Sequence, residues 1–161
     1  MMVVAVGITS EEVRSLASQA PAVRAGRIPA LKCLVVSGHD GLRGRLNTMS
    51  ELGGFTGCET PADATDLRSV VDGDYQLVIV DIAHPLGDRV NDTVEIAEEF
   101  AGRPGTLLVV CGSDDSVDEE LLARQLGAWV YLPGVSNGDS LMSLFAEARR
   151  VVDRRGVFQV A

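Results

Sequence analysis

The fold is decided by the stretch Tyr75-Gln-Leu-Val-Ile-Val-Asp81-Ile-Ala-His84-Pro85. Residues 77–80 are apolar and mostly β-branched, and an apolar run this short is typical of a central parallel strand buried on both faces. Asp81 follows at the carboxyl end of that strand, where open α/β sheets place their chemistry. Pro85 delays the start of the next helix. Asp81 is therefore either a functional carboxylate or the cap of a turn.

The composition favours one aliphatic α/β domain. The chain has 161 residues, 46% of them hydrophobic and only 4% aromatic, which is enough for a substantial core of helices packed on a sheet. The formal net charge of −9 argues against a nucleic-acid-binding surface or an anionic membrane surface. One basic cluster stands out near the end of the chain, and we interpret it as a solvated helix end: Arg149, Arg150, Arg154 and Arg155.

The cysteines and the termini indicate a cytoplasmic protein. Cys33, Cys58 and Cys111 are odd in number and widely spaced, so we interpret them as reduced core thiols and not as a disulfide or zinc framework. No apolar stretch approaches membrane-spanning length, and no basic region precedes the short apolar run at residues 2–6. We therefore expect neither a signal peptide nor a membrane anchor.

The regular pattern begins only after residue 30. Residues 1–30 are predicted to be an extension, with a strand at 2–6, a helix at 10–19 that starts with the capping-box pair Thr9 and Glu12, and a linker bracketed by Pro21 and Pro29. Residues 31–152 form the main domain, and residues 153–161 a tail in which 157–160 could be a short edge strand.

Five alternations of strand and helix predict a doubly wound parallel sheet. Strands are predicted at residues 31–36, 55–59, 77–81, 106–111 and 128–132, and helices between them and after the last. Glycines close several of the helices, at Gly53 and Gly54, Gly102 and Gly127. The residues predicted to face inward from the helices are Leu42, Leu46, Met49, Leu52, Ala64, Leu67, Val71, Val90, Val94, Ala97, Phe100, Leu141, Leu144, Phe145, Ala148, Val151 and Val152.

Residues 31 to about 152 resemble a response-regulator receiver domain. The resemblance rests on four blocks in the right order and spacing: Leu31-Lys-Cys-Leu-Val-Val36, Glu51-Leu-Gly-Gly-Phe55, Tyr75-Gln-Leu-Val-Ile-Val-Asp81 with Pro85, and Leu126-Gly-Ala-Trp-Val-Tyr-Leu-Pro133. It implies a flavodoxin-like sheet of strand order 2-1-3-4-5. It also implies a signalling module of the two-component kind, not an enzyme.

The same resemblance assigns Asp81 as the phosphoacceptor, a carboxylate nucleophile that works with Mg²⁺. Receivers place two acidic residues at the end of the first strand, and the matching positions here are Ser37 and Gly38. Asp40 lies close by, and we predict it to be a helix N-cap, with a metal ligand as the alternative. Mg²⁺ is thus a doubtful cofactor, and no other cofactor is expected.

Two further positions depart from the receiver pattern. The hydroxyl residue that binds the phosphoryl oxygen is matched by Cys111, and the lysine that clamps the phosphate by Gly134. Because phosphoryl transfer depends on positioning and charge stabilisation, Asp81 alone should be a very poor phosphoacceptor. We expect it to accept hydrogen bonds from backbone amides of its loop, and His84 to be a surface residue. Slow phosphorylation with a metal held by Asp81 and Asp40 is the alternative.

Two function classes follow. The first is an atypical receiver that acts through protein–protein interaction, with an effector or kinase as partner. The second is a phosphorylatable single-domain response regulator that accepts a phosphoryl group on Asp81. A flavin site is allowed by topology, but Trp129 and the two tyrosines lie in the wrong loops for one.

An apolar pair, Trp129 and Val130, replaces the polar residues that receivers usually carry after the glycine-alanine turn. We expect it to seed a homodimer or a partner interface, the alternative being that Trp129 folds onto Leu121 or Leu122. Little sequence follows the last predicted helix, so output is expected to pass through a partner. The chain also resembles the amino-terminal modules of Tad-type pilus-localisation ATPases, and it could be a piece of such a protein.

Overall fold

The computed structural model describes residues 30–87, 90–134 and 138–158. Apart from Ala30, the predicted extension lies outside the described residues. Five strands are present in these ranges: β1 (Cys33–Val36), β2 (Cys58–Glu59), β3 (Leu77–Asp81), β4 (Leu107–Gly112) and β5 (Val130–Pro133). Five helices alternate with them: α1 (Asp40–Leu52), α2 (Ala64–Val70), α3 (Val90–Ala101), α4 (Val117–Leu126) and α5 (Gly138–Phe158).

The strands form one parallel sheet in the order β2-β1-β3-β4-β5, so the predicted topology is confirmed. Parallel register places Asp81 beside Cys111 at the carboxyl ends of β3 and β4. At the amino end of β1, the register pairs Cys33 with Cys58 of the edge strand β2.

The core has two layers, one on each face of the sheet. Alternate residues of β1 supply both layers, because successive side chains of a strand point to opposite faces. Cys33 and Val35 pack in the layer covered by α1 and α5, and Leu34 and Val36 in the layer covered by the other three helices. The largest buried aromatic side chains, Phe145 in the first layer and Phe100 in the second, each contribute about 1.5–3 kcal/mol of burial free energy.

Two helix ends follow local rules. Gly127 ends α4 in the left-handed conformation at a φ of 80°, as predicted. The N-cap of α1, however, is His39 and not Asp40. His39 is extended, and its Nδ1 accepts a hydrogen bond from the backbone N–H of Leu42. Asp40 is instead the first helical residue and pairs with Arg43.

The inward face was predicted wrongly at three helical positions, since Leu52, Ala64 and Val90 are exposed. Ser50 and Thr93 are buried in α1 and α3 instead. The last helix continues past residue 152 to Phe158, so an edge strand at 157–160 is wrong for the part that the structure describes. Within the described ranges, no helix combines the length and the apolarity that a membrane span requires.

Candidate functional site

Asp81 is the centre of the site, and it is 2% exposed. Its Oδ1 accepts hydrogen bonds from the backbone N–H groups of Ala83 and His84, each at 3.1 Å. These are the contacts expected from the sequence, in which the carboxylate caps its own loop. Such bonds satisfy one oxygen of a buried charge that would otherwise be costly to remove from water.

The hydroxyl of Ser37 binds the other carboxylate oxygen of Asp81. Its hydroxyl is fully buried and donates to Oδ2 of Asp81 at 2.8 Å. The same hydroxyl accepts the backbone N–H of His39 at 3.0 Å, immediately before α1. Ser37 therefore connects the end of β1, the end of β3 and the start of α1 through one oxygen atom.

His84 also contacts the carboxylate, although it was predicted to be an ordinary surface residue. Nδ1 of its half-exposed ring lies 3.2 Å from Oδ2 of Asp81. The ring of His39 stands edge-on to that of His84, with ring centroids 5.1 Å apart. Asp81 is thus enclosed by a serine, a histidine and two backbone amides. The sequence signal for His84 was its position three residues after a buried carboxylate.

Gly38 is covered by the loop that follows β3. The backbone N–H of Gly38 donates to the carbonyl of His84 at 2.8 Å. A Cβ atom at position 38 would lie 2.5 Å from the carbonyl oxygen of Pro85. The position therefore has no room for a side chain, and a second carboxylate could be accommodated there only if the loop backbone moved.

The residues near Asp81 do not fit Mg²⁺, which needs several oxygen ligands. Asp40, the predicted alternative ligand, is 88% exposed and paired with Arg43. The Arg43 guanidinium is fixed by further contacts to the carbonyls of Ser37 and Pro61, both at 3.3 Å. Among the described residues, no group of three or more His, Cys, Asp or Glu side chains could hold a metal ion.

Cys111 is the register neighbour of Asp81 on β4, and Gly134, after β5, lines the same cavity as Asp81. Burial, and then the charge of Asp81, raises the pKa of the Cys111 thiol to about 12, so this thiol is neither charged nor a strong donor. Gly134 has a φ of 66°, and the Asp114 carboxylate occupies the place where its Cβ would be. An acidic side chain thus stands where receivers carry a cation.

A cavity of about 320 Å³ opens beside these residues. Its walls combine the carboxylates of Asp81 and Asp114 with the ring of His84 and the polar backbone after β4, while Leu42, Leu132 and Leu141 form the apolar part. Among the described residues, no lysine or arginine lines it. The cavity therefore offers an anion such as phosphate little favourable charge.

Trp129 and Val130 lie at the amino end of β5, which is the edge strand opposite β2. The backbone N–H of Trp129 donates to the carbonyl of Leu108 at 2.8 Å, which starts the pairing with β4. Both side chains are half-buried and pack against the core layer of α1 and α5. Val130 pairs with Val109 of β4, two residues before Cys111. The described residues that line the cavity with Asp81 do not include Trp129 or Val130, so we treat this pair as a separate surface.

Solved structures similar to this chain include receiver domains and response regulators. A CheY-like receiver domain protein from Methanospirillum hungatei aligns with a TM-score of 0.64 and 18% identity, over 78% of this chain and 98% of that one. A response regulator from Thermotoga maritima aligns at 0.61 and 15%, over 74% and 97%. NtrX from Brucella abortus aligns at 0.66 and 21%, over 82% of this chain and 30% of NtrX.

No protein-family model matches the sequence, and no curated protein matches it significantly. The likeness is therefore one of structure, and it includes the order of the strands in the sheet. The chain has the fold of the response-regulator receiver domains.

Proposed function

We propose that the chain is an atypical receiver-like signalling module that acts by protein–protein interaction, with phosphorylation of Asp81 weak or absent. The receiver fold makes a signalling role the starting point, and the contacts of the Asp81 carboxylate are the observation that supports the proposal. Both oxygens of Asp81 are already bound, by Ser37, by His84 and by two backbone amides. A phosphoryl donor would have to displace these groups before the carboxylate could attack it.

Three neighbouring positions support the same conclusion. Ser37 is neutral, Gly38 has no space for a side chain, and Asp114 brings negative charge to the position of Gly134. Phosphoryl transfer needs positive groups around the transferred oxygens. Among the described residues that line the cavity with Asp81, none is a lysine or an arginine.

Acetyl phosphate with Mg²⁺, followed by intact-mass measurement, tests the proposal. The expected result is no phosphoryl adduct on the chain under conditions that label a conventional receiver in the same tube. Asp81→Asn should then give the same spectrum. A stoichiometric adduct on the wild-type chain that Asp81→Asn removes would instead favour the phosphoacceptor function. The one observation in favour of that alternative is that Asp81 lines the cavity.

The partner surface is proposed at Trp129 and Val130, as a homodimer or as a site for an effector or kinase. Tryptophan is a frequent interface anchor, and this one is half-buried directly before the edge strand β5. Light scattering after size exclusion should give a dimer for the wild-type chain and a monomer for Trp129→Asp. Leu52→Asp, at a side chain 64% exposed on α1, is the matched control. If Trp129→Asp stays folded with unchanged mass and partner binding, this surface is not the interface.

A further inference from the structure

We propose that Cys33 and Cys58 form a redox-active pair, in which hydrogen peroxide converts the two thiols into a reversible disulfide between β1 and β2. The two residues stand far apart in the sequence, yet they are register partners in adjacent parallel strands. Neither residue touches the Asp81 site, which lies at the opposite end of β1.

The strand geometry brings the two side chains together. Neighbouring strands lie about 4.8 Å apart, and disulfides join residues whose Cα atoms are about 4.4–6.8 Å apart. Both side chains pack in the same core layer, so they point to the same face of the sheet. A modest approach of the strands would bring the Cβ atoms to the roughly 3.8 Å that a disulfide needs. β2 can make this shift because it is an edge strand of only two residues.

The two thiols differ in the way that a reactive and a resolving cysteine differ. Cys58 is half-buried, while Cys33 is 1% exposed. Hydrogen bonding from Cys33 lowers the pKa of the Cys58 thiol, against the opposite effect of burial. Burial raises the pKa of Cys33 well above its usual value. Since the thiolate is the nucleophile, Cys58 is the residue that attacks.

The reaction balances in two steps. The Cys58 thiolate attacks one oxygen of the peroxide, the O–O bond breaks, and a sulfenic acid forms while hydroxide leaves and takes up a proton to become water. The Cys33 sulfur then attacks the sulfenic sulfur, the S–O bond breaks, and the thiol proton leaves with the hydroxyl group as a second water. Two thiols are oxidised to one disulfide as one peroxide is reduced to two waters.

Cys111 provides the internal control. It is also buried and free, but it lies near Asp81 at the carboxyl end of β4, and its register partners are Asp81 and Leu132. A general sensitivity of the cysteines to oxidation would therefore involve Cys111, whereas a pair selected by strand register would not.

The test uses the full chain, reduced and desalted, then treated with hydrogen peroxide, freed of peroxide and alkylated with iodoacetamide in denaturant so that every remaining thiol reacts. Peptide mapping should find one intramolecular disulfide between Cys33 and Cys58, with Cys111 alkylated. Dithiothreitol should restore three alkylatable thiols. Cys111→Ser should behave like the wild type, while Cys58→Ser should form no disulfide. Before oxidation, iodoacetamide should label Cys58 faster than the other two thiols, because Cys58 is the most exposed of the three and its pKa is lowered.

Three results would overturn the proposal, and all can be seen in the wild-type chain even if a variant misfolds. The first is oxidation of Cys58 to sulfinic acid with Cys33 still alkylatable. The second is a disulfide that joins two chains or includes Cys111. The third is equal labelling of Cys33 and Cys58 by iodoacetamide in protein that circular dichroism shows to be folded.

Discussion

Replacing Ser37 with alanine should destabilise the domain more than the replacement of a buried serine ordinarily does. The hydroxyl donates to a buried carboxylate and accepts the N–H that precedes α1. A hydrogen bond to a charged group contributes roughly 1.5–3 kcal/mol. The amide of His39 is only partly buried, so its loss of a partner costs less than the roughly 1–3 kcal/mol of a fully buried group. We expect Ser37→Ala to lower the free energy of unfolding by about 2–3 kcal/mol.

A double-mutant cycle isolates the bond to the carboxylate from the bond to the amide. Ser37→Ala, Asp81→Ala and the double variant are compared with the wild type by urea denaturation followed by far-ultraviolet circular dichroism. Because Ser37 and Asp81 are in direct contact at 2.8 Å, the coupling free energy should be about 1.5–3 kcal/mol.

Ser50→Ala is the matched control. Ser50 is just as buried as Ser37, but its hydroxyl donates to the uncharged carbonyl of Asn47 at 2.7 Å. Its loss should cost about 1 kcal/mol. The reasoning is refuted if Ser37→Ala costs no more than Ser50→Ala, or if the coupling free energy between positions 37 and 81 is below about 0.5 kcal/mol. Either result would mean that Asp81 is not held by the bonds described here.

Three other outcomes are expected. Gly38→Ala should destabilise by about 1–3 kcal/mol in urea denaturation because its Cβ meets a backbone carbonyl, whereas Gly44→Ala, with open space around it on α1, should be neutral or stabilising. Because the pKa of Cys111 is raised in the folded chain, the unfolded thiol ionises first as the pH rises. The free energy of unfolding should therefore fall between pH 9.0 and about 12, by up to about 1.4 kcal/mol per pH unit. Cys111→Ala should remove that part of the pH dependence, and an unchanged slope in this variant would contradict the prediction. Gly134→Lys should give no acetyl phosphate labelling, because the side chain of Asp114 fills its place and the φ is positive; labelling by this single change would show that the missing cation was the sole defect.

The sheet could be predicted because its signals are local. Short apolar runs such as residues 77–80 and 107–110 are typical of parallel strands buried on both faces. The glycine after α4 ends that helix through its own backbone freedom, at Gly127. The ends of the strands, and of the helices other than α5, were therefore found within a few residues of their places.

The errors on the helix faces have a different cause. Leu52 lies three residues after Met49, so helical periodicity turns it inward, but α1 ends there and the side chain stays in solvent. Ser50 takes the buried place because a small residue is needed where α1 meets β2, with Cys58 close by. The periodicity of a helix indicates which residues share a face, but not where the covering layer ends.

The site was harder to predict than the fold because its contacts join distant segments. Asp81 could be identified from the strand before it. The reason for the glycine at position 38 could not, since the atom that excludes a side chain belongs to Pro85. The pairing of Cys33 with Cys58 likewise needs the register of β1 and β2, and the two predicted strands were too long to fix it.

The backbone of the loop after β3 rests directly on Gly38, with one hydrogen bond and one close approach. An engineer who wished to build a phosphate-responsive biosensor from this scaffold could not do so by exchanging side chains alone. The loop would first have to be redesigned, for instance by a different length between Asp81 and α3, and only then would acidic residues grafted onto the end of β1 have somewhere to go. As it stands, the scaffold is better suited to applications that require a constant shape.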